Sequence, residues 1–75
     1  MNLSPEAIQL LRDAVKHIRD DKLADVYKWE RKGEDKHVNY NLAHELYGAG
    51  LAAEGIVGSS LVPTEQGYAY VDQHG

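Results

Sequence analysis

His37, Asn41 and His44 stand at i, i+4 and i+7, a spacing that a helix turns onto one face, and Glu45 adjoins His44. Imidazoles and a carboxylate are zinc-ligand types, but two histidines a turn or more apart with one acid lack the tight set that zinc closes around. No metal is expected, and these residues read as surface polar groups. Lys28, Arg31, Lys32 and Lys36, with Tyr27 and Trp29 interleaved, are the group best suited to holding phosphates. Glu30, Glu34 and Asp35 interrupt it, which is the pattern of a solvated, charged loop. For covalent catalysis there is little: Ser4, Ser59 and Ser60 have no neighbouring base, and Gly48, Gly50 and Gly55 do not form a phosphate-binding loop behind a strand. The absence of cysteine removes thiol nucleophiles, thiolate zinc sites and disulfides. A chain this short has little volume for a substrate cleft beside its core. The expectation is a protein that is not an enzyme and holds no cofactor.

Charge is distributed unevenly. All eight Lys and Arg lie between Arg12 and Lys36, and residues 41–75 carry only the acids Glu45, Glu54, Glu65 and Asp72, within a formal net charge of −4. Such a field repels a duplex from the acidic half and favours association with a basic surface. The 75 residues form one domain, in which only about 60% of the unfolded surface is buried, so the stability margin is thin. Hydrophobic content of 43% is that of a folding chain. Without cysteines, a basic leader or an apolar run of membrane-spanning length, the expected compartment is the cytoplasm.

These side chains must be positioned by short elements. Ser4-Pro5-Glu6 is a helix start, with a capping hydroxyl, proline at the first helical position and an acid near the positive end of the dipole. Ala7, Leu11, Ala14 and Ile18 then form an apolar stripe ending near Arg19. Asp20-Asp21 is expected to cap a second, short helix with Leu23, Val26 and Tyr27 inward and Ala24 and Trp29 beside them. A third helix is predicted over residues 38–49, with Leu42, Ala43, Leu46 and Tyr47 inward, Gly50 left-handed past its end and Leu51 folding back. Ile56-Val57 and Leu61-Val62 read as two strands joined by Gly58-Ser59-Ser60. Thr64 can cap a last helix over residues 65–72, although Gly67 weakens it and Tyr68-Ala69-Tyr70-Val71 suits a strand as well.

Two stretches carry a resemblance. Leu46-Tyr47-Gly48-Ala49-Gly50-Leu51 and Val62-Pro63-Thr64-Glu65-Gln66-Gly67-Tyr68 are similar to the helix end and the post-wing helix start of winged helix-turn-helix domains. The resemblance covers the second half of the chain. It implies a mainly α fold with a small β-hairpin (α+β): three helices, a short wing and a C-terminal helix. It also implies that the helix over residues 38–49 is a recognition helix for the major groove, with His37, Asn39, Asn41, His44 and Glu45 exposed. The chain departs from the family in having no Lys or Arg on that helix or on the wing.

Charge therefore outweighs resemblance in the functional expectation. The first reading is a non-enzymatic regulatory or adaptor protein, binding a protein partner that has a basic surface. Its acidic, tyrosine-bearing face would comprise Trp29, Tyr40, His44, Glu45, Glu54 and Glu65, with Tyr68 and Tyr70 as further aromatic candidates, since aromatic side chains dominate interface hot spots. Small bacteriophage-encoded inhibitors act in this way, placing carboxylates where phosphates would sit on a nucleic-acid-binding partner. The alternative is a DNA-binding regulator acting as a homodimer, with Lys28, Arg31, Lys32 and Lys36 on phosphates and Asn39 and Asn41 on bases.

Overall fold

The computed structural model describes residues 3–74. Six elements follow in the order α1 (Pro5–Asp20), β1 (Tyr27–Lys28), α2 (Lys36–Gly48), β2 (Ala52–Glu54), β3 (Ser60–Pro63) and α3 (Glu65–His74). Three helices thus pack with a small antiparallel sheet of order β1-β3-β2, a mainly α layout of winged-helix-like type.

Helix α1 begins as its residues dictate. Ser4 is extended, its Oγ accepts from the Ala7 amide at 3.1 Å, and Pro5 takes the first turn. Ala7, Leu11, Ala14 and Val15 turn inward and meet Ala43 and Leu46 of α2 and Leu61 of β3 in one core. Asp20 and Asp21 end this helix instead of starting another. The Asp21 amide donates to the His17 carbonyl, its Oδ1 accepts from the Leu23 amide at 3.0 Å, and its carbonyl accepts from Ala24. The Asp21 side chain makes the bond of a helix cap, but only this single turn follows it, because the chain beyond is drawn out by the pairing of Tyr27 with Leu61 of β3. The short helix expected after Asp20-Asp21 is not formed, and Leu23 points to solvent at 91% exposure.

In its place the chain extends. Tyr27 and Trp29 are buried while Lys28 and Glu30 are exposed, the period-two alternation of a half-buried strand. Tyr27 pairs with Leu61 and Lys28 with Ser60, and the Trp29 amide continues the ladder to the Ser59 carbonyl at 2.9 Å. The wing strands also shift. Ala52–Glu54 pairs with β3 in the register Ala52–Pro63, Ala53–Val62, Glu54–Leu61, and Ile56-Val57 belong to the turn.

A clasp joins the ends of this hairpin. Past α2, Gly50 is left-handed at φ +76°, its amide donates to the Tyr47 carbonyl and the Leu51 amide to the Leu46 carbonyl, a Schellman ending. Thr64 binds the same turn, with its Oγ1 donating to the Gly50 carbonyl at 2.7 Å and its amide to the Leu51 carbonyl at 3.0 Å. Thr64 Oγ1 also accepts from the Gly67 amide at 3.1 Å, capping α3. Gly67 lies against the Leu51 carbonyl so closely that a β-carbon there would collide with it. The glycine that lowers helix propensity is thus a condition of the clasp, and residues 68–71 are helical.

Candidate functional site

Helix α2 is positioned by Asp35, whose Oδ1 accepts from the His37 amide at 2.9 Å, and by its Schellman end. Between these limits Tyr40, His44 and Tyr47 follow one another at i, i+4 and i+7, Tyr40 and His44 exposed and Tyr47 half-buried against the core. Their rings form a continuous ladder with Trp29 from the β1 edge: Trp29 to Tyr40 at 5.9 Å, Tyr40 to His44 at 4.3 Å and His44 to Tyr47 at 5.4 Å between centroids. Tilted and edge-on pairs of this kind are the arrangement that ring quadrupoles favour. His44 therefore takes part in aromatic stacking, and among the described residues no cluster of three or more metal-ligating side chains is placed to hold an ion.

The ladder borders a cleft of about 270 Å³ between the start of α2 and the β2–β3 turn. Trp29, Tyr40 and Tyr47 form its aromatic side, Glu54 and Val57 stand on the hairpin side, and Lys36 is a cation on its rim. Two interactions hold the cleft open. The Tyr47 hydroxyl donates to the Ser60 carbonyl at 3.1 Å, and the Ser60 hydroxyl donates to the Val57 carbonyl, folding the turn over itself. Ser59 is left-handed at φ +58°, which lets the turn close within so few residues. Burial pushes the Tyr47 hydroxyl above the ordinary tyrosine range; Trp29 beside it opposes that shift, and the negative field of Glu54 adds to it. The buried Trp29 Nε1 has no hydrogen-bond partner among the described residues.

Comparison with protein-family models, curated proteins and solved structures found no match for this chain. The site is accordingly described by its own geometry.

Among the residues expected on an acidic docking face, Tyr40, His44, Glu54 and Glu65 are exposed, and the first three lie on the ladder or the cleft. Trp29 does not stand free: it is 5% exposed and belongs to the core, because in a chain without phenylalanine the tyrosines and the single tryptophan must supply the large aromatic packing. It touches the site as a wall. Glu45 is also engaged, one carboxylate oxygen accepting from the Ser4 amide at 3.0 Å and the other from the Ser4 hydroxyl at 2.9 Å, so it staples α2 to the start of α1. Tyr68 and Tyr70 are half-buried against the core.

The residues suited to nucleic acid are scattered and partly occupied. Arg31 lies 3.9 Å from Glu34 and over the Tyr27 ring at 5.3 Å, and Lys36 lies 3.9 Å from Glu30. Asn39 donates its side-chain amide to the Trp29 carbonyl at 2.9 Å, which withdraws it from base reading. Lys28, Lys32 and Asn41 are exposed.

The hairpin tip is the part that residue reading missed. Ile56 is 94% exposed and Val57 is also open, so the pair expected as a wing strand is an apolar tip beside the cleft. Gly55 and Gly58, bracketing only two apolar residues, were the available sign of a turn.

Proposed function

We propose that this chain is a non-enzymatic regulatory or adaptor module that docks a protein partner through the face made by the α2 ladder, the cleft and the β2–β3 tip. The observation that carries the reading is the juxtaposition of the exposed Tyr40 and His44, the open Ile56-Val57 tip and the carboxylate of Glu54 on one edge of the molecule, in a half of the chain that has no Lys or Arg. Aromatic and apolar groups supply the desolvated centre of an interface, and acids select a basic counterpart and speed the encounter. A partner whose basic surface serves nucleic acid is the matching class, with carboxylates taking the place of phosphates. Support for direct DNA reading is weaker, since Arg31, Lys36 and Asn39 each already have an internal partner.

Two measurements test the proposal together. With a photo-cross-linking phenylalanine analogue replacing Tyr40, irradiation in the source cells is expected to trap a protein partner, and the same analogue at the remote, exposed Leu23 is expected to trap none. In parallel, fluorescence anisotropy with a mixed-sequence duplex at low salt is expected to show no binding. Micromolar duplex binding that weakens steeply with salt overturns the reading, because that slope counts neutralised phosphates.

A further inference from the structure

Among the described residues two arginines already sit between a tyrosine face and a carboxylate, Arg31 over Tyr27 and 3.9 Å from Glu34 and, more tightly, Arg19, whose site serves as a template. Where α3 meets α1, the Arg19 guanidinium lies over the Tyr68 ring at 5.1 Å and pairs both terminal nitrogens with the two oxygens of Asp72, at 2.8 and 3.0 Å. A tyrosine face and a carboxylate together satisfy a planar guanidinium, by attraction to the ring quadrupole and by a bidentate ion pair.

The cleft at α2 has the same two parts without the cation. Tyr40 is 45% exposed, and Glu54 stands on the facing hairpin. Among the described residues Glu54 forms no ion pair. The cation on the rim, Lys36, is directed to Glu30 at 3.9 Å. The volume of about 270 Å³ suits one long side chain, and the Ile56-Val57 tip beside it offers apolar surface to the residues that would flank that side chain.

Resting on the docking reading above, we propose that the cleft between α2 and the β2–β3 turn is the pocket for one arginine side chain of the protein partner, with its guanidinium stacked on Tyr40 and paired with Glu54. Lys36 then acts as a tuning residue: its charge opposes the incoming cation at close range, and Glu30 holds it aside. This separates the pocket from a phosphate site, where Lys36 would attract the ligand.

The test uses the ¹⁵N-labelled full chain and a blocked Gly-Arg-Gly tripeptide, compared with the same tripeptide carrying citrulline, which keeps the planar shape but loses the charge and has a carbonyl acceptor in place of one terminal NH2 donor. Saturable NMR shifts are expected at the amides of Tyr40, Glu54 and Gly58 and at the Trp29 indole, with arginine favoured over citrulline about tenfold. Glu54→Gln, an exposed change on an edge strand that leaves the core intact, is expected to weaken arginine binding about threefold. Lys36→Gln is expected to strengthen it about twofold. Equal responses to arginine and citrulline, shifts centred on the acids of the α1–β1 loop, or weaker binding after Lys36→Gln each overturn the arginine pocket. If the Tyr40 cross-link to a protein persists while the tripeptide fails, the docking face stands and its arginine specificity is lost. Salt-sensitive duplex binding removes both.

Discussion

Where α3 lies against α1, Arg19, Tyr68 and Asp72 complete one another, and Arg12 adds a hydrogen bond to the His74 carbonyl at 2.8 Å. Where α2 meets the β2–β3 turn, Tyr40, His44 and Glu54 have comparable chemistry, but their outward sides are unmatched and an apolar tip stands next to them. The first flank spends its aromatic and charged groups on holding a helix; the second keeps them accessible. Exposed ion pairs stabilise little, so the closed flank orients α3 more than it anchors it, and the unmatched flank gives up little stability by remaining open. The contrast separates residues that build the fold from residues whose outward sides the fold leaves unmatched, a distinction that residue type alone does not make.

Both flanks depend on the clasp, so its failure has the largest expected effect. Gly67→Val drives a branched side chain into the Leu51 carbonyl and is expected to cost about 1–3 kcal/mol, a large share of a small domain's stability, measured by urea unfolding. An unchanged midpoint would show that α3 can rotate away and that the clasp is not rigid. Next comes Glu45→Ala, which leaves the Ser4 amide and hydroxyl without their shared acceptor; a loss of about 1 kcal/mol is expected, with faster hydrogen exchange in the first turn of α1. Were Glu45 instead a docking residue, stability would hold and partner binding would fall.

Smaller effects distinguish the flanks by pH. The Arg19 hydrogen bonds hold the Asp72 carboxyl below its ordinary range, so its contribution is present above the unfolded carboxylate value and is lost as pH falls through the depressed one. Acid is therefore expected to lower the exchange protection factors at the end of α3 before it affects α2, and an Asp72→Asn variant should lose that dependence. The opposite sign holds for Tyr47. Its hydroxyl value is raised mainly by burial, so its contribution is full below the unfolded tyrosine value and is lost as pH rises through the folded one, which loosens the α2–β3 contact under alkali. Glu54→Gln is expected to have the smallest effect on stability, within about 0.5 kcal/mol by thermal unfolding, because nothing in the fold leans on that carboxylate. A larger loss would make Glu54 structural and erase the contrast between the flanks.

Local signals were legible in the sequence and distant partnerships were not. The Ser4-Pro5 start, the Gly50 ending and the Thr64 cap each act within a few residues, and each stands where its chemistry placed it. Strand β1 is decided by β3, more than thirty residues away, and its alternation of Tyr27, Lys28 and Trp29 is too brief to outweigh the two aspartates that resembled a helix cap. Ala52-Ala53-Glu54 has poor strand propensity, yet the turn at Gly50 and the anchored Leu51 launch it along β3. At the candidate site, the exposure of Tyr40, His44 and Glu54 followed from charge and helical spacing. The staple of Glu45 to Ser4 and the burial of Trp29 did not, since each rests on a contact between distant segments.

Because Thr64 ties the end of the hairpin to its beginning at Gly50 and Leu51, the β2–β3 segment is a closed ring whose geometry is set at its base. Residues at the tip can then be exchanged without the rest of the chain having to adjust. The residues bracketed by Gly55 and Gly58 are in that sense an interchangeable bit on a fixed handle.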